Sequence, residues 1–272
     1  MTLGWLSGGG RSDTGFPLMK PIPFLVCVVG WLVAPLAAQV TETPDTVAPG
    51  KFFMRMDAIS VGVNRDTTEP NTFTALGLAT TVLSTGITRD VDAQVGVQFF
   101  LRQKYQFRGG SATRSGVGDV TVRSKWTYWR NPQLGAAAAV IPFLKIPTSS
   151  GGVGNDHFEG GVIFPWAMSL GSGTVAGAMA EWDVLRNDQN DGYDSRWSAS
   201  SFLRQHIVGP WAAYAELTLG VSSASSSSFT GGAGAGVTWD LSKTLQLDYG
   251  VSRGLGNRAT DWLNTLRVRW QF

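Results

Sequence analysis

Apolar and polar residues alternate through most of the chain after residue 50, with the period of two that puts successive side chains of a β-strand on opposite faces. The last twelve residues show the pattern most clearly. One face of this predicted strand carries Trp262, Leu266, Val268, Trp270 and Phe272, and the other carries Thr265, Arg267, Arg269 and Gln271. This division fits a strand with lipid on one side and a wet lumen on the other.

The alternation recurs in segments of ten to fifteen residues that are separated by turn signals. We predict twelve strands, near 51–63, 72–84, 91–103, 118–130, 134–146, 157–170, 174–186, 194–207, 211–222, 229–241, 244–253 and 261–272. An even number of strands is typical of single-chain bacterial outer-membrane barrels and places both termini in the periplasm. The sequence therefore predicts an all-β fold, a transmembrane antiparallel β-barrel over residues 51–272.

The connections between these strands differ in length in a regular way. Those after the even-numbered strands are short, whereas several after the odd-numbered strands are longer and polar, as at 104–117, 147–156, 187–193 and 223–228. Short periplasmic turns and long external loops are the barrel arrangement. We expect loops 104–117 and 147–156 to fold inward and narrow the lumen.

The N-terminal region does not follow the strand pattern. Lys20, the apolar run 24–33 and the small residues of Leu36-Ala37-Ala38 read as a secretory signal with cleavage after Ala38. We predict an upstream extension and signal peptide over 1–38, a short periplasmic lead-in over 39–50, and then the barrel. The single cysteine, Cys27, falls within the signal, so the mature chain has no thiol for a disulfide, nucleophile or metal.

Charge is sparse, at 15% of residues against an average near 25%. Losing Arg11, Lys20 and Asp13 with the signal leaves 20 basic and 19 acidic residues, which gives no basic patch for nucleic acid. Strand parity turns most charges of the spanning region toward the lumen. We expect the lumen to be lined by Arg55, Asp57, Asp92, Arg102, Asp119, Arg123, Lys125, Lys145, Glu181, Asp183, Arg204, Glu216, Asp248, Arg267 and Arg269.

The parity of the third strand sends Val91, Ala93, Val95, Val97, Phe99 and Leu101 outward to lipid. Because the inward charges are of both signs, no ring of one charge is available for strong ion selectivity. The same residues are compatible with two interpretations. They line a path for a solute, or they form an ion-pair network that fills a narrow barrel.

Histidine placement argues against enzymatic activity. The only two histidines, His157 and His206, fall at opposite rims of the predicted barrel, about 25 Å apart across the membrane, and so cannot share one catalytic site. His157 with Asp156 and Glu159 is a weak metal-ligand set, for which a solvated loop is the simpler interpretation. We predict no catalytic residues, no metal site and no cofactor.

Two short motifs resemble those of a known family. Gly116-Val117-Gly118-Asp119-Val120, followed by Lys125, resembles the strand start of the MetA-pathway phenol-degradation family. Lys145-Ile146-Pro147-Thr148 resembles the end of the next strand in that family, and the final hairpin through Phe272 is also similar. Physically, Gly116 and Gly118 permit a tight turn and Asp119 can accept hydrogen bonds from an adjoining loop. We favour this structural role for Asp119 over contact with a solute.

The resemblance spans roughly residues 50–272 and implies an outer-membrane barrel that takes up small, aromatic or apolar solutes. The chain departs from the family at Ser149, where glycine is frequent. The family offers no catalytic or binding residues to carry over. The expected partners are outer-membrane lipid, a small solute and the barrel-assembly machinery, which would bind the C-terminal strand. The alternative is a structural or adhesive barrel whose lumen is closed by ion pairs.

Overall fold

A computed structural model describes residues 40–65, 71–154, 156–187, 191–223, 229–255 and 260–272. The predicted signal peptide at 1–38 and the serine-rich stretch at 224–228 lie outside these described residues. No helix in the described part of the chain is long and apolar enough to cross a membrane.

The described chain forms antiparallel strands that close into a barrel. The strands are β1 (Phe52–Arg65), β2 (Thr72–Gly86), β3 (Val91–Phe107), β4 (Gly110–Gly116), β5 (Val120–Asn131), β6 (Ala136–Ile146), β7 (Glu159–Gly171), β8 (Thr174–Arg186), β9 (Tyr193–Val208), β10 (Trp211–Ser222), β11 (Phe229–Asp240), β12 (Leu245–Leu255) and β13 (Trp262–Gln271). Each strand pairs with its neighbour, and β13 pairs with β1 to close the ring. The predicted all-β barrel is confirmed.

Strands β4 and β5 together occupy one position in the ring, so the barrel wall has twelve strands. The outer part of β3, from Leu101, pairs with β4, while its first half, from Val91 to Gly96, pairs with β5. We expected residues 104–117 to form a loop and to narrow the lumen, and both expectations are wrong. It continues β3 into an exposed hairpin, because its residues go on pairing across the turn at Phe107 and Gly110.

The inward parity of β1, β2 and β3 reverses partway along each strand. In β1 the inward residues pass from Asp57 to Ser60 across an extra residue, Ala58, where the register with β13 shifts. The same reversal occurs in β2 at Ala79, which has a φ of 52°, and in β3 at Phe99. Of these three positions, Ala58 is a bulge, and the register of β1 with β2 and of β2 with β3 is unchanged across the reversal. In β1 the reversal keeps Ile59 on the outer surface, whereas in β3 it turns Leu101 inward and Arg102 outward.

Exposed aromatic side chains form two bands around the barrel. Near the periplasmic end, Trp211 stacks on Trp239 with ring centroids 5.1 Å apart, and Phe272 contacts both Trp270 and Phe52. Near the outer end, Trp182 stacks on Trp197 with centroids 6.1 Å apart. Amphipathic rings favour the two membrane interfaces. These bands therefore mark the lipid-facing surface of the barrel.

Candidate functional site in the barrel lumen

The N-terminal residues 40–47, which we call the lumen segment, lie inside the barrel. Glu216 on β10 accepts hydrogen bonds from the backbone N–H groups of Val40 and Thr41, at 3.0 and 2.7 Å. The Thr41 hydroxyl also lies 2.7 Å from that of Ser200 on β9, and Thr41 is only 3% exposed. The predicted periplasmic lead-in over 39–50 is therefore wrong for most of its length. Side chains in the middle of the wall, rather than water, satisfy this backbone.

Glu42 is the main charged anchor of the lumen segment. Its Oε1 atom accepts from Arg55 of β1 at 2.7 Å and from Arg123 of β5 at 2.9 Å. The carboxylate is almost fully buried, with the whole residue 8% exposed. A buried carboxylate is stable only when it is paired and hydrogen-bonded. Glu42 thus connects two well-separated strands of the wall through the centre of the barrel.

Below Glu42 the backbone of the lumen segment is held by side chains of β3 and β5. Lys125 Nζ donates to the carbonyl oxygens of Thr43 and Asp45 at 2.8 and 3.1 Å. Nearer the periplasmic rim, Asp92 Oδ2 accepts from the N–H of Val47 at 3.1 Å. The segment therefore descends along β5 from the middle of the lumen to the start of β1, tied at each step by a polar side chain.

The inner end of the lumen segment covers an apolar patch on the wall. Ile141 of β6, Ile163 of β7 and Met179 of β8 are buried together, with Phe143 and Val40 packed against them. The exposed fractions of Ile141 and Ile163 are 0% and 5%. This apolar patch (Ile141, Phe143, Ile163 and Met179) is unusual for a lumen wall, because inward positions of membrane barrels are mostly polar.

The wall at β12, β13 and β1 is instead ion-paired. Arg267 pairs with Asp57 at 2.5 Å, and Arg269 pairs with Asp248 at 3.1 Å. Asp248 also accepts a hydrogen bond from the Tyr214 hydroxyl at 3.0 Å. The lumen therefore has a charged wall and an apolar patch, with the lumen segment between them.

The lumen segment is one constriction of the lumen, and a second constriction lies at the outer end. Loop residue Val153 is 2% exposed and packs against inward-facing Phe73, Ala75 and Leu101, with Tyr105 and Leu263 beside them. Part of the loop at 147–156 thus folds into the barrel. Leu101, expected on the lipid face, is instead buried in this cluster, because the inward parity of β3 reverses at Phe99.

The family-motif residues join this inward loop to the wall. Asp119 Oδ1 accepts from the backbone N–H groups of Thr148 and Ser149 at 3.0 and 2.9 Å, and the Thr148 hydroxyl accepts from the N–H of Val120. A Cβ atom at Gly116 would lie 2.1 Å from the carbonyl oxygen of Ser150. The motif therefore holds the loop against the start of β5, with Pro147 leading into it.

Lys145 lies 2.6 Å from Glu159 and 3.5 Å from Asp119 beneath this junction. A Cβ atom at Gly118 would meet the side chain of Gln98 at 2.4 Å, so this wall position is also closely packed.

Of the residues expected to line the lumen, all but Arg102 are buried or half-buried. Arg102 is exposed on the outer surface, opposite Leu76 and Ser115, because it follows the parity reversal in β3. Asp183 pairs with Arg196, and Arg204 lies 3.4 Å from the Thr238 hydroxyl. Glu181 is half-buried on the inward face of β8, between the buried residues Met179 and Asp183.

His206 is exposed beside the β9–β10 turn, and His157 precedes β7 at the other end of the barrel. Across the described residues, no group of three or more histidine, cysteine, aspartate or glutamate side chains is arranged to hold a metal ion. The predicted absence of enzymatic activity stays a prediction.

Sequence reasoning missed the lumen segment because it has no strand or helix period. One signal was present: Arg55, Arg123 and Lys125 are three inward cations on the periplasmic halves of β1 and β5, where inward carboxylates are fewer. Glu42, which comes from outside the wall, pairs with Arg55 and Arg123.

The closed wall, aromatic bands and polar lumen define an outer-membrane β-barrel. The chain belongs to the family described as MetA-pathway of phenol degradation, whose family model matches residues 38–272. A search of the curated proteins gave no match.

Solved structures share the fold at low sequence identity. The transport unit of the autotransporter AIDA-I from Escherichia coli is 10% identical, with a TM-score of 0.56 over 92% of this chain and 97% of that one. The β domain of the Bordetella autotransporter BrkA is 16% identical, with a TM-score of 0.55 over 82% and 100%. The CymD monoaromatic hydrocarbon channel is 7% identical over 83% and 88%, with a TM-score of 0.46. The likenesses to the two autotransporter domains concern the fold alone.

Proposed function

We propose that the protein is an outer-membrane channel for passive uptake of small aromatic or apolar solutes. The observation that carries this proposal is the apolar patch of Ile141, Phe143, Ile163 and Met179 inside a lumen whose wall at β12, β13 and β1 is charged. Val40 of the lumen segment covers this patch, and without that segment the patch would face the lumen. A small apolar solute gains free energy at such a surface, by about 25 cal/mol for each Å² removed from water.

Family membership supports the same class of solute, since the family is described by phenol degradation. The lumen wall contains paired charges of both signs, including Arg267 with Asp57 and Arg269 with Asp248. Paired charges give no net field to select one kind of ion. A neutral solute therefore fits this part of the lumen better than an ionic one.

The test is single-channel recording of residues 39–272 in a planar bilayer, with phenol and toluene added as probe solutes. We expect conductance steps that the probes interrupt. Ile163→Ser should weaken this interruption, because it makes the apolar patch polar, whereas Ile59→Ser on the lipid face should leave it unchanged. A barrel that is folded but conducts no current, and takes up no probe in vesicles, would contradict the proposal.

A second candidate is a structural barrel with a closed, ion-paired lumen. It is favoured by the burial of Arg267, Asp57 and Asp248, together with the two constrictions at Thr41 and Val153. Uptake of a neutral probe into vesicles separates the two candidates, since a permanently closed lumen passes neither ions nor probe.

We also propose that export removes residues 1–38 and that the C-terminal strand binds the assembly machinery. The signal pattern that ends at Ala38 supports the cleavage, and the terminal aromatic Phe272 supports the assembly role. N-terminal sequencing of membrane-extracted protein should begin at Gln39. Phe272→Ser should lower the amount of assembled barrel without changing the amount exported.

A further inference from the structure

We propose that the lumen segment, residues 40–47, is a releasable plug that gates the channel, an inference that rests on the proposed function. The segment lies between the apolar patch and the charged wall, where a passing solute would have to travel. Val40 occupies the apolar patch itself. A solute of the proposed class and the plug therefore compete for the same surface.

The way in which the segment is attached allows release. Its hydrogen bonds to the wall run through side chains, among them those of Glu216, Lys125 and Asp92. Among the described residues, backbone pairing with the wall begins only at the periplasmic rim, where Pro49 bridges to Gly86. The barrel wall thus stays fully paired when residues 40–47 leave. Gly50, with a φ of +73°, lies between the segment and β1 and can take up the change in direction.

Release of the lumen segment would uncover charged side chains of the wall, and their position also favours a reversible plug. Arg55, Arg123 and Lys125 line the side of the lumen from which the segment would leave, and water entering there can hydrate them. In a dry protein core the loss of Glu42 would leave unpaired charges at a high free-energy cost. In a lumen open to water this cost is smaller. The apolar contact of Val40 has no such replacement by water, so an apolar solute in its place promotes opening.

A ligand shifts such an equilibrium only by its difference in affinity for the two states. A solute that binds the apolar patch binds the open state alone, because Val40 covers the patch in the closed state. The solute thereby opens its own path. This coupling predicts that low concentrations of solute raise the opening frequency before higher concentrations interrupt the current.

The plug can be locked by one disulfide. The Thr41 and Ser200 hydroxyl oxygens are 2.7 Å apart, so Thr41→Cys with Ser200→Cys places two sulfurs within bonding reach. The only native cysteine is Cys27, which precedes residues 39–272, so no other thiol interferes in that protein. The experiment records single channels of the double variant in an oxidising buffer and again after addition of a reductant.

We expect oxidation to lower the opening frequency about tenfold or more, and reduction to restore it. Glu42→Lys should raise the opening frequency, because it places a like charge beside Arg55 and Arg123. Asp240→Lys is the matched control, since Asp240 is an exposed carboxylate at the periplasmic end of β11 and should not change opening. A heat-dependent shift in gel mobility establishes that each variant is folded.

Two results overturn the plug in different ways. If the wild type conducts and the disulfide changes nothing, the segment is not a gate and the channel function stands. If the folded wild type, the reduced double variant and Glu42→Lys all fail to conduct or to pass a neutral probe, the gate and the proposed channel both fail.

Discussion

Arg267 donates a hydrogen bond from Nε to Oδ1 of Asp57 across 2.5 Å, and the two residues are 210 positions apart in the chain. They face each other where the last strand, β13, pairs with the first, β1. Both are nearly fully buried. A buried ion pair at this seam favours the closing register over one shifted by a residue, because a one-residue slip would turn one partner to the other face of the sheet.

The seam pair leads to a prediction about stability. Asp57→Ala should lower the free energy of unfolding by about 3 kcal/mol, because it leaves the Arg267 guanidinium buried without its closest partner. Urea unfolding in lipid vesicles measures the change. Asp240→Ala, at an exposed carboxylate, should change stability by less than about 0.5 kcal/mol. Equal stability of the two variants would show that the seam pair contributes nothing.

Strand parity gives a prediction about folding in a bilayer. Leu217 on β10 is 57% exposed on the lipid face, whereas the next residue, Thr218, faces inward. Leu217→Arg should lower the stability of the barrel by about 2–4 kcal/mol, because the guanidinium would lie in hydrocarbon. Thr218→Arg should have a smaller effect, since the lumen is polar. If both variants fold equally poorly, the assigned lipid face of β10 is wrong.

The hydrogen bonds that Asp119 accepts from the loop at 147–156 lead to a prediction about that loop. Asp119→Ala removes the acceptor of two backbone N–H groups, at Thr148 and Ser149, which should cost about 1–3 kcal/mol locally. The loop should then open, and hydrogen exchange at residues 147–153 should become faster. Asp156→Ala, at an exposed residue of the same loop, should leave exchange unchanged. Unchanged exchange in both variants would show that other contacts hold the loop, namely the packing of Val153 and the hydrogen bonds between Ser150 and Val117.

Alanine substitutions at two glycines test the contact between the lumen segment and β2. A Cβ atom at Gly86 would lie 2.3 Å from the carbonyl oxygens of Val47 and Ala48. Gly86→Ala should therefore displace the base of the segment and speed hydrogen exchange at residues 40–47. At Gly96 the nearest atom would be 3.6 Å away, so Gly96→Ala serves as the control and should keep the segment protected. Slow exchange in both variants would mean that the segment adjusts at its base without release.

Alternation by itself located the strands. It placed the predicted third strand at 91–103 and the structure has β3 from Val91 to Phe107, and it placed the predicted seventh at 174–186, which β8 matches. The period of two is a local property of an extended chain between lipid and water, so a single sequence carries it. It also separates Leu217 from Thr218 without any knowledge of the neighbouring strands.

The parity reversals at Ala58, Ala79 and Phe99 were not predicted by alternation. They lie side by side in β1, β2 and β3, with the register between these strands unchanged, so they are a property of the assembled sheet. Arg102 was assigned inward for this reason and lies outside. Leu101 was assigned outward and is buried beneath Val153.

The sequence by itself determined the class of fold, the position of the twelve predicted strands and the presence of lumen charges of both signs, because these depend on neighbouring residues and on the two solvents. It did not show that residues 104–117 form the outer part of β3 and the additional strand β4. The tertiary structure decided which charges meet and what fills the lumen. Glu42 meets Arg123 across 81 positions, and Thr41 meets Glu216 across 175. Such contacts exist only after the wall has closed, since closure alone brings opposite strands within reach of a segment that has no regular structure of its own.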